Sequence, residues 1–146
     1  MRMKEIKFLA WDKEDKVIRR VKEIHFDKDG TLHGLLEGGE GRYFFNQRVL
    51  VDGKWIDDVV LLQDTGLKDI NKKPIYENFL LKNKNGQKFC IKYDKYYAWY
   101  CLHEVEDGTI MNNIWTVDQG IIQNYEIEII GNIYQNPELV KEGDEW

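Results

Sequence analysis

Residues 79–103 read FLLKNKNGQKFCIKYDKYYAWYCLH, and the class of fold turns on them. Phe79 to Lys82, Lys88 to Tyr93 and Tyr96 to His103 are dense in aromatic and other apolar residues, as strands are. Asn85-Gly86 separates the first two. Both residues tolerate positive φ, which a type I′ turn needs, and that turn's twist suits paired antiparallel strands. The same signal recurs between strand-like segments at Asp29-Gly30, Asp52-Gly53 and Asp107-Gly108, so four hairpins are expected. Glu5 to Trp11 alternates Ile6, Phe8 and Ala10 against Lys7, Leu9 and Trp11, and Val21 to Phe26 sets Ile24 and Phe26 against Glu23 and His25. Arg42 to Phe45 and Lys54 to Gln63 read as strands too. Ile121 to Tyr134 alternates as a strand broken at Gly131, where a bulge or a bend is expected. One short helix is placed after Asn136, with Pro137 in its first position and Glu138 at the positive end of its dipole. The expected fold is mainly β, with antiparallel hairpins and at most short helices.

The 146 residues are 42% hydrophobic and 32% charged, which excludes collagen-like, coiled-coil and disordered chains. No apolar run approaches a membrane span, the aliphatic run Val59 to Leu62 included. The N-terminus has charge but no apolar stretch of a secretory signal, so a cytoplasmic protein is expected. Charge is uneven: fifteen cations and fourteen carboxylates up to Lys73, then six and twelve. An acidic back half repels phosphate, so any nucleic-acid contact must come from elsewhere on its surface. Thr65 to Pro74 has turn formers at both ends and polar residues between. The expected organisation is an N-terminal β subdomain at 1–64, a connector at 65–78 and a C-terminal β subdomain at 79–146, with a short helix or tail near 136–146.

Three blocks resemble the YopX family of phage and prophage proteins of Gram-positive bacteria: Ile6-Lys7-Phe8-Leu9-Ala10-Trp11-Asp12; Leu62 to Asp69 with Ile75-Tyr76-Glu77; and Ile130 to Leu139. The specific part is Thr65-Gly66-Leu67-Lys68-Asp69. Two departures stand out. Lys72 occupies a place where the family usually has glycine, so positive φ is no longer cheap there and the turn type stays open. Tyr76-Glu77 runs into Asn78-Phe79 in place of the family's Gly-Asp. The resemblance implies that Phe79 onwards is the first strand of a small SH3-like barrel. It brings a phage context and no established activity.

No catalytic constellation is legible. His25, His33 and His103 are scattered, and His25 and His103 alternate with apolar neighbours as exposed strand positions do. Cys90 and Cys101 lack the spacing of a zinc or redox pair. With a hairpin tip centred between Lys95 and Tyr96, the two face each other across the strands as small apolar fillers. No enzyme activity, cofactor or metal is expected. Thr65, Gly66, Leu67, Lys68, Asp69, Tyr76 and Glu77 are read as a connector whose hydrogen bonds fix the subdomains.

Lys88, Lys92, Tyr93, Lys95, Tyr97 and Trp99 form a candidate interaction ridge. Interface cores favour tyrosine and tryptophan, so the expected partner is a second copy or a phage or host protein. The same mixture also suits a nucleic-acid-binding barrel that stacks bases and pairs phosphates. A third reading makes the acidic half, including Glu126 and Glu128, a decoy that imitates DNA. Trp146 ends a charged tail, read as disordered.

Overall fold

The computed structural model describes residues 7–142; the expectations for Ile6 and Trp146 lie outside them. The chain divides into two compact units, Met1–Gln63 and Asp64–Trp146. In the first, β1 (Phe8–Asp12) lies between β2 (Val17–Phe26) and the start of β7 (Val60–Lys68), antiparallel to both. The order continues outward from β2 through β3 (Leu32–Leu36) to β4 (Tyr43–Phe44). Ala10, Leu36, Phe45, Val59 and Leu61 form the buried cluster. A separate hairpin, β5 (Arg48–Val51) and β6 (Lys54–Asp57), pairs with no other strand among the described residues.

The second unit takes up β7 at Asp64 and pairs it with β8 (Pro74–Tyr76). Its main sheet has the order β13-β9-β10-β11-β12-β14, formed by β9 (Phe79–Lys82), β10 (Lys88–Asp94), β11 (Trp99–Glu106), β12 (Thr109–Thr116), β13 (Glu128–Asn132) and the two-residue β14 (Lys141–Glu142). Both faces are covered. One carries Leu81, Phe89, Ile91, Tyr100 and Leu102 against Leu67, Ile75, Ile122 and Ile127. The other carries Leu80, Cys90, Val105 and Ile110 against Ile130, Ile133, Leu139 and Val140. Hence Tyr100 to Val105 is buried without interruption, where a half-covered sheet would alternate.

All four expected hairpins form, with two kinds of turn. Asp52-Gly53 and Asp107-Gly108 have positive φ at both residues, as type I′ requires. At Asp29-Gly30 and Asn85-Gly86 only the glycine does, and Asp27 and Asn83 accept the glycine N–H across a longer turn. The bulge expected near Gly131 is present, between Ile129 and Gly131 against β9.

Five expectations need correction. The main sheet is open: among the described residues β13 and β14 are its two edges, and no SH3-like barrel closes. The first residues of the 121–134 segment belong to a helix, α1 (Gln119–Asn124), which begins where Asp118 Oδ1 accepts the Ile121 N–H at 2.8 Å. Its six residues are too short to show helical periodicity. Pro137–Leu139 is a single 3₁₀ turn, and the Asn136 side chain accepts from the Asn132 N–H instead of capping it. Finally, the β10–β11 tip is longer than a two-residue turn, so Asp94 pairs with Trp99, Cys90 with His103 and Lys92 with Cys101. The cysteines are two positions out of register, both buried and outside any disulfide. His103, expected at the surface, is buried because the second face is covered.

Candidate functional site

The aromatic residues of β10 and β11 gather at one end of their hairpin. Asp94 Oδ1 accepts the N–H groups of Tyr96 and Tyr97 at 2.9 and 3.1 Å. Ala98 takes φ 52° to return the chain to β11. This tip projects Tyr96 almost wholly into solvent, at 88% exposure, and leaves Tyr93, Tyr97 and Trp99 about half exposed. The rings support one another edge to face: Tyr96 on Tyr97 at 5.1 Å, Tyr93 on Tyr100 at 5.6 Å and Trp99 on Tyr100 at 6.4 Å between centroids. Trp99 Nε1 donates to the Val117 carbonyl at 3.2 Å, fixing the indole while one side stays wet. Tyr100 is the buried pivot. Burial, then the nearby Glu77 and Asp64 carboxylates, pushes its hydroxyl pKa up to about 12, so it stays neutral.

The lysines of the expected ridge do not join this cluster as a set. Strand alternation puts Lys88 and Lys92 on the face opposite Tyr93, the face that Trp99 shares through its pairing with Asp94. Lys92 Nζ donates to Asn78 Oδ1 at 3.2 Å. Lys88 stands at the far end of β10, in register with Lys82. Only Lys95 lies in the tip with the aromatics. The exposed end is therefore mostly aromatic and carries little phosphate-pairing charge.

The family block is built as a joint inside the second unit, where residues 65–78 form the end of β7, a turn and β8. Thr65 is buried, its hydroxyl donating to the Ile75 carbonyl at 2.7 Å and accepting the Leu67 N–H at 3.2 Å. Asp64 Oδ1 accepts the Gly66 N–H, and Gly66 at φ 82° forms part of the register shift between β7 and β8. Leu67 enters the core beside Ile75. The Lys68 backbone exchanges two hydrogen bonds with the Gln119 amide, at 2.9 and 2.8 Å. Buried Asp69 accepts Asn71 and Lys73 N–H on one oxygen, both at 2.9 Å, and Ile129 N–H on the other at 3.1 Å. It staples the turn to β13. Lys72 takes φ 66°, so the chain keeps a left-handed residue at the place where the family usually has glycine. Asn78 does likewise at φ 65°, while its amide donates to the Tyr134 hydroxyl at 2.9 Å. Tyr76 is buried with its ring 5.6 Å from Phe79, and Glu77 stands in the turn before Asn78.

A second feature escaped the sequence reading. A cleft of about 270 Å³ lies among Phe89, Leu102, Trp115, Ile121, Tyr125 and Ile127. Its Trp115 wall is oriented from behind by Glu104, which is buried and accepts from Trp115 Nε1 at 3.0 Å, Gln87 Nε2 at 2.8 Å and Asn113 Nδ2 at 3.1 Å. The available signal was a carboxylate inside the apolar run Tyr100 to Val105. Two of the three histidines, expected to be scattered, come together: His25 and His33 face each other across β2 and β3 with their rings stacked at 5.4 Å, His25 contacting Glu23 at 3.1 Å and His33 lying between Asp27 at 2.8 Å and the Arg42 Nε at 2.9 Å, while His103 stands apart in β11. Both thiols are buried, and burial raises the Cys101 pKa, making that thiol a poor nucleophile. Among the described residues no helix is long and apolar enough to cross a membrane.

Comparison with known proteins agrees with this architecture. The family model described as YopX protein matches residues 7–141. A search of curated proteins finds no match. Among solved structures, the crystal structure of protein EF1440 from Enterococcus faecalis is similar in fold, with a TM-score of 0.61 at 23% identity, covering 94% of this chain and 99% of that one.

Proposed function

The chain belongs to the YopX family, and from that premise we propose that it is a phage- or prophage-encoded accessory protein that acts in the bacterial cytoplasm by binding another protein, without catalysing a reaction. The observation that carries this reading is the clustering of Tyr93, Tyr96, Tyr97 and Trp99 at the end of the β10–β11 hairpin, exposed yet held in place by ring contacts and the Asp94 and Val117 bonds. Pre-ordered aromatics lose little entropy on contact and are the residue types that dominate binding hot spots. The partner is a phage or host protein, or a second copy.

The test combines light scattering with capture by the immobilised chain from lysates of host cells with and without phage. A stoichiometric partner that binds the wild type and is released by Tyr96→Ser/Tyr97→Ser is the expected result. Each hot-spot ring lost costs about 2 kcal/mol, roughly thirtyfold in Kd. A strictly monomeric protein that retains nothing overturns the proposal.

A further inference from the structure

Apolar surface is left uncovered in a second place, the β5–β6 hairpin. Its strands pair Val49 with Ile56, Leu50 with Trp55 and Val51 with Lys54. Among the described residues, no strand lies along the outer edge of either. Leu50 is 59% exposed, Trp55 62%, Val51 45% and Ile56 46%, and none of them joins the core cluster of the first unit. A lone two-stranded ribbon is marginal in water, and an apolar unpaired edge is a template for another chain. The base of this ribbon is nevertheless pinned. Asp58 accepts the N–H groups of Phe44 and Val59 at 2.6 and 2.9 Å, Asn46 Oδ1 accepts the Leu61 N–H at 3.1 Å, and the Asp58 N–H donates to the Gln47 carbonyl at 2.8 Å.

We propose that β5 is a dimerisation strand: two copies of the chain pair antiparallel along it, about a two-fold axis through Leu50, to make a β6-β5-β5-β6 sheet. The turn fixes which groups are available. Val51 and Lys54 flank a two-residue turn and bond to each other, so the amides of Val51 and Val49 face β6 while those of Leu50 and Arg48 point outward. A two-fold axis through Leu50 uses those outward groups. It sets Leu50 opposite its own copy, Val49 opposite the second copy's Val51, and Arg48 opposite the second copy's Asp52. Apolar side chains meet apolar ones and opposite charges meet, which is the self-complementarity a two-fold interface requires. Across the four strands one face then carries the row Trp55, Leu50, Leu50, Trp55. The β6 edge offers no such match: an axis through Trp55 sets Lys54 opposite Ile56, and one through Ile56 sets Trp55 opposite Asp57.

This inference shares the adhesive reading above but uses a different surface, so the two fail separately. Light scattering on the full chain across a concentration series is expected to show the mass doubling. Arg48→Asp loses the dimer, and Arg48→Asp/Asp52→Lys regains it. Residue 52 accepts lysine because Lys16 and Lys72 already take positive φ in this chain. Leu50→Cys supplies an independent readout. Directly opposed Cα atoms in a bonded antiparallel pair are about 5.5 Å apart, within disulfide range, whereas the two Trp55 positions are roughly 14 Å apart. Under mild oxidation Leu50→Cys runs as a covalent dimer and Trp55→Cys does not; Cys90 and Cys101 are buried and do not compete. A protein that stays monomeric throughout, with Leu50→Cys uncrosslinked, overturns the proposal. So does a dimer in which Trp55→Cys crosslinks and Leu50→Cys does not, although that result leaves the adhesive reading standing.

Discussion

Truncating Asp69 to alanine strips three backbone N–H groups, those of Asn71, Lys73 and Ile129, of their acceptor at once. Each lost bond costs about 1 kcal/mol, so Asp69→Ala is expected to lose roughly 3 kcal/mol, read as a lower urea midpoint. Lys72, three residues on, works in the opposite sense. Its φ of 66° is held by the turn that Asp69 organises, and a left-handed non-glycine residue costs roughly 1–2 kcal/mol. Lys72→Gly should therefore raise the midpoint by about 1 kcal/mol after the entropy of the freer glycine is subtracted. The sequence showed the missing glycine. It did not show that the backbone keeps the left-handed turn and bears the strain.

At the scale of elements, β2 and β3 meet at a bulge between Val21 and Glu23. Gly34 is there because its missing side chain admits the Glu23 carbonyl; a methyl group would collide with that oxygen and crowd the Phe45 ring. Gly34→Ala must push the strands apart, and a loss of about 2 kcal/mol or more is expected in urea unfolding, with the slope unchanged. The β10–β11 hairpin gives the complementary lesson. Its strands were legible in composition, but Ala98 at φ 52° lengthens the tip and moves every pair. Register is a property of turn length, and the residues Asp94 to Trp99 do not announce the turn they make. Helix α1 was missed for a related reason: its one local signal, Asp118 as a cap, stands just before a segment, Ile121 to Tyr134, whose alternation reads as strand.

Over the whole molecule, pH dependence reports which titratable groups folding buries. Burial lowers the His103 pKa, against the opposing influence of a hydrogen bond with the Met111 backbone. The folded state thus binds a proton less readily than the unfolded chain, whose histidine titrates near 6.5. The sign follows. Stability from this group is full above about 6.5 and is lost as pH falls from there toward the lowered folded value. Asp12 acts further down. Burial works to raise its carboxyl, but the amides of Asp15 and Glu14 and the Arg19 guanidinium together hold it below the ordinary value. Its contribution is present above the unfolded pKa of about 3.9 and disappears as pH falls through the folded one. Urea midpoints against pH should show two successive declines on acidification, and His103→Gln should abolish only the first. A single decline at the lower pH in the wild type would show that His103 titrates normally.

What the sequence determined by itself was what depends on near neighbours. Asp-Gly and Asn-Gly pairs make hairpins because φ at those residues is a local matter, and Gly131 marks a bulge for the same reason. Alternating apolar residues set the mainly β class, and Thr65 to Asp69 supplied the family landmark. The tertiary structure decided which faces are covered and where apolar surface is left over. His103 and Glu104 are buried because residues 130–140 close one face of the sheet and Leu67, Ile75, Ile122 and Ile127 pack on the other, and Leu50 and Trp55 stay exposed because they join no core cluster among the described residues. Such burial comes from groups dozens of positions apart in the chain, and a local pattern carries no record of them.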